Sequence, residues 1–172
     1  MIGQHKHNKN KNSVVNMSIR APVSQALNNV VKEATDAGIH VAVSAGNFGR
    51  DACEQSPAST PSAITVGAIE DKSDAITDFS NFGKCVDIFA PGLNFLGATV
   101  GSDNAYVVES GTSCSSPVVA GTLALLIAKS GNKPPAALTK DLINLSTKGV
   151  ITGLKKGSPD AFIRTPAPYF FP

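Results

Sequence analysis

A strand, a helix and a second strand follow one another near the start of the chain, and this order constrains the fold most. Residues 13–18 have a strand pattern, and Ser24 can cap the helix that follows. Gly38 stands where a helix C-cap belongs. Residues 39–44 are almost all apolar and rich in β-branched side chains, as expected of a strand covered on both faces. The order predicts a right-handed parallel crossover, and therefore an α/β fold.

Further strands are predicted at residues 64–67, 86–89 and 106–108, between loops rich in Gly, Pro, Ser and Asn. The first helix is expected to bury one apolar face, formed by Ala26, Leu27, Val30, Val31 and Ala34. These elements describe a mainly parallel sheet flanked by helices.

Two more helices are expected in the second half of the chain. One should begin near Ser113 and end at Gly131, with Pro117 in its opening turns, where a missing N–H costs little. Its apolar composition indicates that it is buried. The other is predicted to have Thr139 as its cap and three inward residues, Leu142, Ile143 and Leu145.

The chain is long enough for one sizeable core, since 42% of its 172 residues are hydrophobic. We divide it into a polar, basic and solvated leader at 1–12, a packed body at 13–164 and a loosely held tail at 165–172. The net charge of +2 is small, so no affinity for nucleic acid is expected. The apolar stretch 118–128 is short for a bilayer, and polar residues follow Met1. We therefore expect no membrane anchor, no signal peptide and a monomer.

Ser113 is the first candidate for chemistry, because it follows a Gly-Thr pair directly before the apolar helix. The N-terminus of a helix carries partial positive charge and N–H groups without acceptors, which stabilise an oxyanion beside a serine that attacks a carbonyl. The alternative is that residues 110–113 form only a turn and a helix cap.

Asn47 is the second candidate, in the segment 44–47 at the carboxyl end of a predicted parallel strand. Open α/β sheets place their ligands at this end of the strands. A side-chain amide there can donate a hydrogen bond to an oxyanion. The alternative is that Asn47 only turns the chain after Gly46.

Together these segments resemble the subtilisin-like serine proteases, in particular the proteinase K and cerevisin branch of fungi. The resemblance is carried by segments in a fixed order: 14–18, 24–28, 45–47, 56–59, 64–68, 79–83, 87–92, 110–113 and 119–121. It implies a partial subtilisin-like fold, in which the amino-terminal part of the peptidase domain is missing.

Carried over residue by residue, the resemblance implies that Ser113 is the acylating nucleophile and Asn47 the side-chain donor of an oxyanion hole. It implies peptide or protein substrates and two substrate-binding segments. One would line the pocket for the residue before the scissile bond, and consists of Ser44, Ala45 and Gly46. The other would be the edge that pairs with substrate, and consists of Ile19, Arg20 and Ala21.

The resemblance also implies a structural calcium site formed by Pro61, Ala63 and Asp87, and no catalytic cofactor. Oxygen ligands of this kind suit calcium, although Asp87 is as well explained as a surface aspartate without a metal. Cys53 and Cys85 stand where cerevisin-like proteins carry cysteines, which implies a disulfide; two free thiols are the alternative. The third cysteine, Cys114, remains free.

The sequence departs from the family pattern in its catalytic residues. The family's Asp-Thr-Gly and His-Gly-Thr-His segments, which hold the catalytic aspartate and histidine, have no counterpart in this chain. Asp36 closes a helix, His40 begins a core strand, and His5 and His7 lie in the basic leader. Loss of the triad typically removes about 10⁴–10⁶ in rate, so we expect negligible proteolysis by this polypeptide alone.

Two functions remain open. The first is a serine endopeptidase by descent, of which this chain is a truncated and inactive form, secreted or vacuolar as the family implies. The second is a degenerate protein that binds a peptide or a partner without catalysis. The second is favoured by Arg20, Ala21 and Pro22, which stand where relatives have glycines, and by Cys114, which replaces a methionine.

Overall fold

A computed structural model describes residues 1–166 of the chain. In chain order its elements are α1 (Ile2–His7), β1 (Val14–Met17), β2 (Ala21–Pro22), α2 (Gln25–Asp36), β3 (His40–Ser44), a 3₁₀ turn (Ala52–Glu54), β4 (Gln55–Ser56), β5 (Ile64–Ile69), β6 (Ile88–Pro91), β7 (Phe95–Ala98), β8 (Tyr106–Glu109), α3 (Thr112–Ser130) and α4 (Pro135–Leu145). Most of the predicted tail, residues 167–172, lies outside the described residues.

A four-stranded parallel sheet in the order β1-β3-β5-β6 forms the centre of the fold. All residues of β3 and β5 are buried, as their apolar sequences predicted. Two antiparallel pairs, β2 with β4 and β7 with β8, lie outside this sheet. The α/β class with a parallel sheet flanked by helices is thus confirmed.

Helix α2 begins as predicted, because the Ser24 side chain accepts a hydrogen bond from Leu27 N at 3.3 Å. Its buried face differs from the expected one. Val31 and Ala34 are buried, but Val30 is 54% exposed and Ala26 is also exposed. The face that packs on β3 is thus centred one residue later in the sequence than predicted, and it includes Thr35. The Thr35 hydroxyl forms hydrogen bonds with Lys32 O and Ser62 Oγ.

Helix α3 is the main element of the core and packs against all four strands of the parallel sheet. Its buried residues Val119, Leu123 and Leu126 join Ile64 and Leu138 in one apolar cluster. By length and composition alone, with a mean hydropathy of 1.2, this helix could also cross a membrane. Its packing on the sheet accounts for that apolar composition.

Other boundaries differ from those predicted. Helix α4 begins at Pro135, whose fixed φ suits a first helical position, so Thr139 lies inside the helix instead of capping it. Strand β6 begins at Ile88, two residues later than expected, because the side chain of Asp87 accepts a hydrogen bond from Thr65 N. Strand β7 was not predicted; its residues are mostly exposed and lack strand periodicity.

The leader expected to be solvated contains helix α1, and His5 within it is only 3% exposed. The Nδ1 atom of His5 lies 2.8 Å from Ser13 Oγ, and Ile2 packs against the cluster around Val31 and Ile39. The basic residues of the segment stay exposed. Ile2 and His5 anchor this segment, and its other residues are mostly polar. Its composition therefore predicted that the whole segment is solvated.

Cys53 and Cys85 are joined by a disulfide across 32 residues of chain. A loop of this length is expected to stabilise the fold by about 3–4 kcal/mol, mainly by restricting the unfolded chain. Cys114 is free and partly buried.

His40 makes stability depend on pH. It is 1% exposed, its Nε2 lies 2.7 Å from Asn132 Oδ1, and burial lowers its pKa. The folded protein therefore keeps His40 neutral, while the unfolded chain takes up a proton below about pH 6.5. Uptake of this proton stabilises the unfolded chain, so the free energy of unfolding is highest above that pH and decreases as the pH falls.

We expect His40→Gln to reduce the loss of unfolding free energy between pH 7.5 and pH 5.5, which urea denaturation measures. The limiting slope for one such group is about 1.4 kcal/mol per pH unit. His7→Gln, the same exchange at an exposed histidine, serves as the control for the substitution itself. An equal slope in the wild type and the His40 variant would refute this account.

Candidate active site

Ser113 is exposed at the second position of α3, above the carboxyl end of β1. Its carbonyl oxygen accepts a hydrogen bond from Ser18 Oγ at 2.8 Å, and Ser18 directly follows β1. One turn further along α3, Ser116 Oγ donates to Asn16 Oδ1 at 2.6 Å. These two bonds fix the amino-terminal end of α3 to the sheet edge where parallel strands end.

Asn47 follows β3 on the same edge, and its side chain is oriented by Thr112. The Asn47 Oδ1 atom accepts from Thr112 N at 2.9 Å and from Thr112 Oγ1 at 2.8 Å. Because the oxygen is engaged twice, the Nδ2 group faces the other way and its N–H bonds remain available for a ligand.

The space beside Gly111 is bordered by two N–H donors. A Cβ atom built on Gly111 would lie 2.9 Å from Asn47 Nδ2 and 3.7 Å from Ser113 N. The Ser113 N–H has no acceptor within the helix, since it belongs to the first turn. A glycine at 111 leaves this space open for an oxygen atom, which both donors and the helix dipole would stabilise if it carried negative charge.

Thr112 is a positioning residue that motif reasoning missed. It is fully buried, and its hydroxyl also accepts from Gly46 N at 3.0 Å. Thr112 therefore connects the start of α3 to the loop after β3 through three hydrogen bonds. The partners are 65 and 66 residues apart in sequence, so only the fold brings them together.

Asn81 supports the same loop from behind, and it was also missed as a functional residue. It is 0% exposed, and its Nδ2 donates to Ala45 O at 2.8 Å. Its Oδ1 accepts from Phe48 N and Arg50 N at 3.1 and 3.2 Å. Its backbone N donates to Gly46 O. One buried amide thus fixes the backbone on both sides of Asn47.

Close packing at Gly46 explains why this loop needs a glycine. The residue has a φ of +102°, and a Cβ there would lie 2.3 Å from Gln55 Oε1 and 2.5 Å from Asn81 Nδ2. A side chain would therefore displace the buried amides and with them Asn47.

Replacing Thr112 by valine should lower the free energy of unfolding by about 1–3 kcal/mol, because the Gly46 N–H then loses its acceptor in a buried position. Urea denaturation measures the loss. Thr112→Ser is the matched control, since it keeps the hydroxyl and removes a methyl group. If the valine variant is as stable as the serine variant, the hydroxyl does not hold the loop.

All three histidines lie at the opposite edge of the sheet. His40 starts β3 and contacts Asn132, just beyond the carboxyl-terminal end of α3. Ser113 is near the start of that helix, which at 19 residues is about 28 Å long, so His40 is far beyond hydrogen-bond reach of Ser113. His5 contacts Ser13, next to β1's first residue, and His7 bonds within its own helix to Gly3 O.

The two expected substrate-binding segments meet, since Ser44 Oγ donates to Ile19 O at 3.3 Å. Ser44, Ala45 and Gly46 are buried behind Asn47, so they contribute the floor of this region. Ile19 and Arg20 are exposed, and Ala21 pairs with Ser56 between β2 and β4.

The three residues implied as calcium ligands line one cleft of about 430 Å³, together with Asp36 and Thr35. Asp87 Oδ2 accepts from Thr65 N at 2.7 Å, and burial raises the pKa of this carboxyl to about 6. A partly buried carboxylate in a cleft that Pro61 and Ala63 also line fits Ca²⁺, because the cation would compensate for the lost hydration of the carboxylate.

Comparison with known proteins matches this chain to subtilisin-like serine proteases in each case. The model of the Subtilase family matches residues 2–159. "Subtilisin-like serine protease Pen ch 18" of Penicillium rubens is 45% identical over 161 residues, which are 88% of this chain and 32% of that protein. "Cerevisin" of Saccharomyces cerevisiae is 43% identical over 172 residues, which are 93% of this chain and 27% of that protein. This chain thus spans 27–32% of the length of these two relatives.

A solved structure gives the same result. The crystal structure of a cold adapted subtilisin-like serine proteinase superimposes with a TM-score of 0.88 at 35% identity. The match covers 95% of this chain and 58% of that chain. The fold described above therefore corresponds to part of a larger peptidase domain.

Proposed function

This chain belongs to the subtilase family of serine peptidases, and from this premise we propose that it carries the nucleophile and the oxyanion hole of an endopeptidase site. Its substrates would be peptides or proteins. The observation that carries the proposal is the convergence of Asn47 Nδ2 and Ser113 N on the space beside Gly111, next to the exposed Ser113 hydroxyl.

In the proposed reaction, Ser113 Oγ attacks the carbonyl carbon of the scissile peptide bond. The carbonyl oxygen becomes an oxyanion and accepts hydrogen bonds from Asn47 Nδ2 and Ser113 N. A donor of this type typically contributes about 10²–10³ in rate. Collapse of the tetrahedral intermediate breaks the C–N bond, and the amine leaves with the proton that a base has taken from Ser113 Oγ. The acyl group stays on Ser113 until water hydrolyses the ester to a carboxylic acid.

The step that this chain does not support by itself is removal of the proton from Ser113 Oγ. The three histidines are at the other edge of the sheet, which supports a general base supplied from outside these 172 residues. A serine without a base is a weak nucleophile at neutral pH. We therefore propose that this chain alone has negligible proteolytic activity.

A fluorophosphonate probe tests this proposal. The wild-type chain should show no more labelling than Ser113→Ala, because the probe reacts with activated serines. The Penicillium rubens relative serves as the positive control for the reagent. Labelling of the wild type that disappears in Ser113→Ala would refute the proposed inactivity.

We also propose that Pro61, Ala63 and Asp87 hold a structural Ca²⁺. The support is their shared cleft and the partly buried carboxyl of Asp87, whose pKa burial raises. When bound, the ion would connect the segment before β5 to the segment before β6 and would take no part in the reaction.

Calcium should raise the thermal stability of the wild-type chain but not that of Asp87→Asn. At a concentration about 100 times Kd, the expected gain is about 2.7 kcal/mol. The exposed Asp103 provides a matched control, and Asp103→Asn should respond as the wild type does. An equal response of the Asp87 variant would show that calcium binds elsewhere.

We propose that the protein works in an oxidising compartment, secreted or vacuolar. The disulfide between Cys53 and Cys85 supports this, since such bonds persist outside the reducing cytosol.

A second candidate, peptide or partner binding without catalysis, is favoured by the segment around Arg20 and Pro22. Pro22 has no N–H, and Arg20 stacks on Phe48 beside Asn47. A chimera that joins the preceding part of the Penicillium rubens relative to this chain distinguishes the two functions. Proteolysis that depends on Ser113 supports the endopeptidase, and a folded but inactive chimera supports the binding protein.

A further inference from the structure

Two arginines flank one exposed aromatic ring next to the oxyanion hole. The guanidinium carbon of Arg20 lies 4.3 Å from the centroid of the Phe48 ring, and that of Arg50 lies 5.2 Å from it. Phe48 directly follows Asn47 and is 49% exposed. Arg20 lies two residues after Ser18, which is bonded to Ser113.

The stacking holds the arginines without using their hydrogen-bond donors. The ring attracts the guanidinium through its positive charge, so N–H groups that point away from the ring remain available for a carboxylate. Arg50 has a partial partner, since its Nε lies 3.8 Å from Glu54 Oε2. Among residues 1–166, no carboxylate oxygen lies within 4.0 Å of Arg20.

The cluster formed by Arg20, Phe48 and Arg50 lies beside the path that a peptide bound at Ser113 would take. Ile19 O accepts from Ser44 Oγ, so the segment that carries Arg20 and the segment that leads to Asn47 are in direct contact. A peptide whose carbonyl oxygen occupied the space beside Gly111 would pass the Phe48 ring with its neighbouring side chains. The Asn81 amide fixes the backbone N atoms of Phe48 and Arg50, so the ring and one arginine have a fixed base.

We propose that the Arg20–Phe48–Arg50 cluster selects peptides with an acidic side chain, Asp or Glu, next to the bond held at Ser113. This inference rests on the proposed function, because it places the peptide by means of the oxyanion hole. Arg20 is the specificity-determining residue. Its edge offers two parallel N–H donors to the carboxylate, and the Phe48 ring contacts the methylene groups of the bound side chain.

The test measures binding to the full chain of rhodamine-labelled pentapeptide amides, Ala-Ala-Ala-Ala-X, by fluorescence anisotropy. With X as Glu, the peptide should bind about 3- to 10-fold more tightly than with X as Gln, the range for a partly exposed charged pair. The peptide with Lys should bind more weakly than both. In about 1 M NaCl, where the Debye length is about 3 Å, the preference for Glu should shrink toward unity.

Three variants assign the preference to Arg20. Arg20→Gln should remove it, and Arg20→Glu should invert it in favour of the Lys peptide. Arg164→Gln is the matched control, since it removes the same charge in the cleft between α3 and α4 and should leave the preference intact. Circular dichroism confirms that each variant is folded.

The outcomes separate this inference from the proposed function. Equal binding of the Glu and Gln peptides by the wild type would overturn the acidic preference and leave the oxyanion hole as proposed. A preference that persists in Arg20→Gln would overturn the role of Arg20. Absence of binding by any of the peptides would overturn both the inference and the peptide cleft on which it rests.

Discussion

The hydrogen bonds between Thr112 and the loop after β3 connect the two halves of the candidate site. Thr112 belongs to the first turn of α3, and Gly46 and Asn47 follow β3. Each half is fixed by its own surroundings, α3 by its packing on the sheet and the loop by the buried Asn81. Thr112 accepts a hydrogen bond from Gly46 N and donates two to Asn47 Oδ1. These bonds give the Asn47 amide a single orientation relative to Ser113. The proposed oxyanion hole thus depends on the sheet topology and on one buried hydroxyl.

The same topology explains what the site lacks. In a parallel sheet all carboxyl ends of the strands share one edge, and Ser113, Asn47 and Ser18 are at that edge. His5 and His7 precede β1, and His40 is the first residue of β3. His40 contacts Asn132 just beyond the carboxyl-terminal end of α3, whereas Ser113 lies at the start of that helix. No rotation of a side chain can bring an imidazole from the amino ends of these strands to Ser113 at their carboxyl ends. The topology is therefore consistent with our proposal that this chain supplies the nucleophile and the oxyanion-hole donors but not the general base.

The sequence predicted those features that depend on neighbouring residues. The cap at Ser24, the turn at Gly38 and the apolar runs of β3 and β5 are local signals, and they placed the central crossover correctly. Ser113 and Asn47 were identified from the short motifs at residues 110–113 and 44–47. Local signals did not fix the phase of α2, where Val30 and Val31 are equally apolar and only packing decides which is buried. Thr112 and Asn81 gain their roles from partners 31 to 66 residues away, which no local pattern encodes.

Chemical rescue tests the central claim, a prepared oxyanion hole and nucleophile without a base. Free imidazole can reach the exposed Ser113, so modification of Ser113 by a fluorophosphonate is followed by mass spectrometry at increasing imidazole concentration. We expect modification that rises with imidazole, is confined to residue 113 and is weakened in Asn47→Ala. Modification that is complete without imidazole would contradict the missing base. Absence of modification at every concentration would contradict the prepared site.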